Sequence, residues 1–388
     1  MNSRTIQKLL IQSLLLILLL SSCSTKKNRW VNRQYHNTTA KYNGYFNGKE
    51  SIKKGLNKIN ENSDEDYSQI ITVFKEKDLS ESKSAHSYMD KAIRKGSVVI
   101  QRHSMKIKGK EYCKWIDDNY LMIGKAYFYK GEFDEALKTF LFIVDEFKKT
   151  ETAYVAKIFA LRTYSQKNDF LACEGVITEL NKKRTLNKKT KLFKHSSIAD
   201  CYLKQQNYSL ATDELKECIK LSNKKQTSRF KYILAQVYQK VGNQKNAYEL
   251  FKDVIRESSD YEMTFNAKMN LAKSAIQTGI NVTKSKEALK KMLKDDKNKE
   301  YLDQIYFTIS EIEIAEMDTI ACINSLLNST KYSFENDIQK SLSFYNLAKI
   351  FYGKQEYRKA GRYYDSTLFY IDKNDEKHSE VSETSQNL

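Results

Sequence analysis

The stretch YLMIGKAYFYKGEFDEALKTFLFIV, residues 120–144, decides the fold. Large and small apolar residues recur in it at helical spacing, stop at Lys130-Gly131-Glu132, and resume. That is the pattern of two amphipathic helices joined by a tight turn. Gly124 and Ala136 are small enough to let antiparallel helices approach closely, and the aromatic rings of Tyr127 and Phe140 fill the space beside them. Gly131 permits the left-handed backbone that such a turn needs.

The same grammar recurs along the chain. An aromatic, a small residue nine positions later and a large one four beyond appear as Tyr127/Ala136/Phe140, Tyr202/Ala211/Leu215, Tyr238/Ala247/Phe251 and Phe351/Ala360/Tyr364. A weaker copy is Tyr164/Cys173/Ile177. Tyr120, Ile123, Gly124, Tyr127, Gly131, Phe133, Ala136, Phe140 and Ile143 together match the tetratricopeptide pattern. The gap between Tyr238 and Phe351 predicts two degenerate repeats, near NLAKSAIQTG (270–279) and YFTISEIEIAEMD (306–318). The period exceeds the usual ~34 residues, so connections slightly longer than consensus are expected. One hairpin cannot bury its own apolar face, whereas stacked neighbours can. The expected fold is therefore all-α, a right-handed superhelix of helical hairpins with a concave groove lined by the first helix of each repeat.

By register, the groove face carries Leu121, Lys125, Phe128 and Tyr129 in the first clear repeat. It carries Tyr232, Gln236 and Lys240 in the fourth, and Tyr345, Lys349 and Tyr352 in the last. Tyrosine beside lysine suits capture of a peptide or protein.

Composition agrees with this class. The chain has no proline and only 12 glycines in 388 residues, so helices must end by glycine, asparagine or loop chemistry, and turn-rich sandwiches and barrels are disfavoured. Of six cysteines, Cys113, Cys173, Cys201, Cys218 and Cys322 are widely spaced, with no CxxC and no zinc-like set. They are expected to be buried thiols packing as small apolar residues, with one disulfide as the alternative.

The sixth, Cys23, ends Leu20-Ser21-Ser22-Cys23 directly behind LLIQSLLLILLL (9–20). Arg4 and Lys8 precede an apolar run too short to span a bilayer, and small residues precede the cysteine. This is the pattern of a bacterial lipoprotein signal. Residues 1–22 are expected to be removed and Cys23 acylated, which supplies the several chains that stable anchoring needs. The formal net charge of +18 would suit nucleic acid. An exported lipoprotein instead meets anionic envelope surfaces and acidic proteins, so neither nucleic acid nor a small-molecule substrate is expected.

The organisation read from the chain is a signal peptide (1–22), a lipidated tether (23–39), an atypical helical cap (40–116), the repeat array (117–371) and a disordered tail (372–388). Residues 40–60 and 66–110 read as helical. The run NKKRTLNKKTKLFKH, 181–195, has seven Lys or Arg and no acid; it reads as a solvated loop and helix start, or as a dock for an acidic partner. His36, His86, His103, His195 and His378 are scattered, and HExxH, GxSxG, Walker and GxGxxG motifs are missing. No catalytic, metal or cofactor site is expected.

Three blocks carry a resemblance to a known family. They are CSTKKNRWVNRQYHNTTAKYNGYFNGKESIKKG from Cys23, VVIQRHSM (98–105) and KWIDDNYLMIGKAYFYKGEFDEALKTF (114–140). Their order and spacing resemble the PorW/SprE lipoproteins of gliding motility and type IX secretion, over roughly residues 20–145. The resemblance implies a non-enzymatic outer-membrane lipoprotein facing the periplasm, whose partners are subunits of the secretion ring and the outer-membrane translocon. Alternatives are a SusD-like glycan-binding lipoprotein, poorly served by two Trp and no Pro, and a BamD-like outer-membrane assembly lipoprotein. A peptidoglycan lyase would need a catalytic glutamate in a compact domain for which the array leaves no room.

Overall fold

The structure, a computed structural model, describes residues 24–61, 65–76, 79, 83–182 and 185–388. The signal, Cys23 and residues 183–184 of the basic run lie outside the described residues.

The chain opens with α1 (Trp30–Thr39), a π-helical turn (Ala40–Tyr45), α2 (Phe46–Glu61) and α3 (His86–His103). A two-stranded antiparallel ladder, β1 (Lys106–Ile107) and β2 (Lys110–Glu111), follows, with Lys106 opposite Glu111. Helical hairpins come next: α4 (Ile116–Tyr129) with α5 (Phe133–Glu146), α6 (Glu151–Gln166) with α7 (Phe170–Asn181), and α8 (Lys188–Lys204) with α9 (Tyr208–Leu221). Then follow α10 (Lys224–Lys240) with α11 (Gln244–Glu257), α12 (Tyr261–Thr278) with α13 (Val282–Met292), α14 (Leu302–Ala315) with α15 (Thr319–Tyr332), and α16 (Asp337–Gly353) with α17 (Tyr357–Tyr370). A last helix, α18, covers His378–Gln386.

These elements form two compact units. Unit 1 comprises residues up to Asp66 together with Ile71–Ser222; unit 2 comprises Tyr67–Ile70 and Asn223–Leu388. Each is a stack of antiparallel helical hairpins of tetratricopeptide type. In unit 1, α4 touches α6 and α6 touches α8; in unit 2, α10 touches α12 and α14 touches α16. The first helices of successive hairpins thus share one face within each unit.

The turns show how a proline-free chain folds this way. A residue with left-handed backbone closes the first helix of every hairpin: Gly131, Asn168, Gln206, Gly242, Gly279, Met317 and Gln355, spaced 36 to 38 residues apart. After most of them comes an acid or amide that starts the second helix. Asp169, Asn207, Asn243 and Asp318 each accept a hydrogen bond from the backbone N–H three residues on, satisfying a donor that the helix leaves open. Residues 279 and 317 mark the two degenerate repeats, so the period runs unbroken through α12 to α15.

Packing follows the repeat code. A Cβ on Gly124 would sit 2.6 Å from the Phe140 ring, so only glycine lets α5 seat that ring against α4. Phe140 in turn stacks on Phe159 of α6 at 5.3 Å. Ala136, Cys173, Ala211, Ala247 and Ala360 are all fully buried at the small-residue position. All five cysteines of the described residues are buried free thiols.

Three expectations need correction. Residues 65–76 do not join a helix; they run as irregular chain. Ile70, Ile71, Thr72 and Val73 are β-branched in succession, which favours extended backbone. Residues 30–39 are helical and not a plain tether, with Asn32 and His36 buried. The tail is not disordered over 378–386. Val381 is fully buried against the cluster containing Phe351, Ala360 and Tyr364, and Glu380 accepts a 3.0 Å hydrogen bond from the Tyr345 hydroxyl. Ser385 Oγ also donates to Asp365, so a buried valine and two polar contacts dock a short helix that average polarity hides.

Candidate functional site

The shared face of α4, α6 and α8 in unit 1 holds a buried charge in an aromatic box. Arg162, from the middle of α6, is only 4% exposed. Its guanidinium carbon lies 3.7 Å from the centre of the Phe74 ring, 4.8 Å from Phe128, 5.6 Å from Phe159 and 5.9 Å from Phe193. Three walls of the box come from α4, α6 and α8. The fourth, and nearest, comes from the irregular segment.

The same segment supplies the counter-charge. Glu76 accepts from Arg162 Nη2 at 3.2 Å. Buried Asp200 of α8 also acts on Arg162 and accepts the backbone N–H of Val73. Burial works against the Arg162 charge, but Glu76, Tyr129 and Asp200 outweigh it and raise its pKa. Burial pushes the Asp200 carboxyl up, while Lys204 and Arg162 pull it back. Tyr129 is pushed up to about 12 by burial and then by Glu76. Arg162 Nε finds no acceptor among the described residues.

A cationic margin borders the box. The Lys125 ammonium lies 4.9 Å over the Phe159 ring. Burial first, then repulsion from Lys189, Lys49 and Arg162, lowers its pKa to about 8, with Asp118 opposing. Asp118 in its turn is raised to about 6 by burial and by Asp117, against the pull of Lys125 and Lys49. None of Lys49, Lys125 and Lys189 makes an ion pair among the described residues.

The shared face of α10 and α12 in unit 2 meets chain by different means. Gln236 Nε2 donates to the Gln69 carbonyl at 2.6 Å and, more weakly, to the Tyr67 carbonyl at 3.4 Å. The Tyr67 ring stands edge-on to Tyr232 at 5.4 Å. Tyr232 is fully buried; its hydroxyl accepts from Asn270 Nδ2 at 3.0 Å, and its ring stands edge-on to Phe251.

The groove residues read from the sequence therefore divide. Leu121, Phe128, Tyr129, Tyr232 and Gln236 are buried. Lys125 is half-buried, and Lys240 and Lys349 are exposed. Tyr345 is half-buried beneath Glu380, with the Lys349 and Lys377 ammonium groups each 5.4 Å from its ring. Tyr352 is 47% exposed and edge-on to Tyr357. Phe128 meets the Arg162 guanidinium, and Tyr232 and Gln236 meet Tyr67 and Gln69, so these three lie beneath other chain and not on an open groove. Arg162, Asp200 and Phe193 were missed because their repeat positions carry no consensus signal. The isolated acid-aromatic pair Phe74/Glu76 was read as part of a helix. Among the described residues no cluster of His, Cys, Asp and Glu is suited to hold a metal ion, and no helix is long and apolar enough to cross a membrane.

No protein-family model matches the sequence, and no curated protein matches it. Solved structures do resemble it. The chain is similar to the apo form of RapI, at 13% identity and TM-score 0.50, over 68% of this chain and 79% of that one. It is also similar to the apo form of the quorum sensor NprR from B. thuringiensis, at 13% identity and TM-score 0.46, over 69% and 79%. A tetratricopeptide repeat protein from Parabacteroides merdae aligns at 12% identity and TM-score 0.37, over 76% and 97%. At such identities the likeness is one of fold.

Proposed function

We propose that this chain is a lipid-anchored, non-enzymatic scaffold that holds extended segments of other proteins on the inner faces of its helical hairpins. Its place is the periplasmic side of the outer membrane, and its work is type IX secretion and gliding motility, between the secretion ring and the translocon. The Cys23 signal and the three blocks resembling the PorW/SprE family support the location and the process. The observation that carries the binding role is the pairing of buried Gln236 with two backbone carbonyls, those of Tyr67 and Gln69, in a turn of the irregular segment. A side-chain amide that meets bare backbone is indifferent to side-chain identity, and a repeat face suits a long polypeptide. Acyl chains on Cys23 are the sole attached group in this reading.

The reading is tested in cells. Cys23→Ala should move the protein from the membrane to the soluble fraction and abolish incorporation of labelled palmitate. Deletion should stop secretion of type IX cargo. Photo-crosslinkers at exposed Tyr352 should trap ring or translocon subunits. Normal cargo secretion in the deletion strain would refute the assignment to that pathway.

A further inference from the structure

Residues 71–76 behave as a bound peptide that happens to be tethered. Val73 gives its backbone N–H to buried Asp200, Phe74 closes the aromatic box at 3.7 Å from the Arg162 guanidinium, and Glu76 pairs with Arg162. Each of these is a contact that a recognition groove makes with a ligand: one to backbone, one to an aromatic side chain and one to an acid two positions later. The fit is incomplete in two ways. Glu76 engages one Arg162 nitrogen at 3.2 Å, whereas Nε, also buried, has no acceptor among the described residues. A carboxylate set for bidentate pairing would satisfy both. The margin is also unbalanced in charge. Lys49, Lys125 and Lys189 make no ion pair among the described residues, and Asp118 is the acid that acts on Lys125 and Lys49.

We propose that the aromatic box of unit 1 is a binding site for an acidic peptide segment with an aromatic residue followed two positions later by Asp or Glu, and that residues 71–76 occupy it as an internal competitor. This rests on the peptide-scaffold reading above and adds to it the ligand chemistry and a control on access. A tethered segment competes at an effective concentration of order millimolar for a short linker. A partner must therefore outbid it with a better-placed carboxylate and with negative charge against the lysine margin. The site is then closed to weak or neutral segments and open to acidic, aromatic ones, and its affinity falls with salt.

The test uses purified full-length protein and a fluorescein-labelled peptide of residues 69–76, read by anisotropy. The chain carrying Phe74→Ala and Glu76→Ala should bind the peptide at least ten-fold more tightly than the wild-type chain. Peptides with Phe74→Ala or Glu76→Lys should lose at least ten-fold against that variant, and a peptide with Lys75→Glu should gain. Equal binding by the variant and wild-type chains, or equal binding of the altered peptides, would overturn the proposal. Should the variant not fold, the wild-type chain still decides. Millimolar peptide should speed hydrogen exchange at the Val73 amide at least ten-fold by displacing the resident, and unchanged exchange would refute displacement. Neither arm depends on the anchor or on secretion, so a negative result here is distinct from failure of the pathway assignment.

Discussion

Unit 1 holds Phe74 and Glu76 by their side chains and Val73 by its backbone N–H; unit 2 holds Tyr67 and Gln69 through their backbone carbonyls and the Tyr67 ring against Tyr232. In unit 1 the residues that meet the segment are a charge and a ring of aromatics, which discriminate by residue type. In unit 2 one primary amide meets two backbone carbonyls, acceptors that every residue type presents. The difference teaches where selectivity resides. A buried, desolvated ion pair is costly to mismatch, while a neutral amide-to-carbonyl bond contributes about 1 kcal/mol and tolerates any sequence.

The comparison predicts unequal costs. Arg162→Ala should be the most damaging change, about 3–5 kcal/mol, because it strands Glu76 and Asp200 and empties the box. Trp30 and Trp115 both belong to unit 1, so tryptophan fluorescence during urea unfolding reads that unit, and circular dichroism reads both. A loss under about 1 kcal/mol would mean the box is not built around the charge. Gly124→Ala should cost about 1–3 kcal/mol by driving the Phe140 ring off its seat, visible in the same fluorescence transition. That change strains the unit 1 scaffold without touching the segment, so it separates scaffold loss from segment loss. Gln236→Ala should cost about 1 kcal/mol and leave the tryptophan transition unmoved. A larger cost there would erase the contrast between the two faces.

Asp118 sharpens the picture of unit 1 through pH. Its folded pKa, about 6, lies above the ordinary 3.8, so the folded state holds the proton more tightly than the unfolded state. Stability from this group is greatest at low pH and is lost as pH rises from 3.8 through about 6. Asp118→Asn should therefore be more stable than wild type by about 1 kcal/mol at neutral pH, with the advantage vanishing towards pH 3.8. An advantage independent of pH would assign the effect to packing. The smallest effect lies in unit 2. Met317 is 90% exposed in left-handed backbone, so Met317→Gly should gain about 0.5–1 kcal/mol in thermal or urea unfolding.

Met317 also shows what the sequence conceals. Gly131 advertises its turn, whereas Met317, Gln206 and Gln355 take the same left-handed conformation without a sequence signal of their own. What betrays them is the next residue, Asp318, Asn207 or Glu356, standing where the second helix must begin. The hairpins were readable because burying an apolar stripe imposes its period on every repeat. The box was not, because Arg162 and Asp200 look like ordinary polar helix residues until chain distant in sequence covers them. Residues 71–76 and 378–386 escaped for one reason. Each is held by a few tertiary contacts that leave no periodic mark.

The central claim is that residues 71–76 are an irregular segment held against the shared helix face of unit 1. Amide hydrogen exchange at Val73 in the full-length wild-type protein tests it most directly, because that N–H is bonded to buried Asp200. The account predicts exchange at least 100-fold slower than in the isolated peptide of residues 69–76, and a return towards the peptide rate in Asp200→Ala, which removes the acceptor. Exchange at the free-peptide rate in the wild-type protein would contradict it.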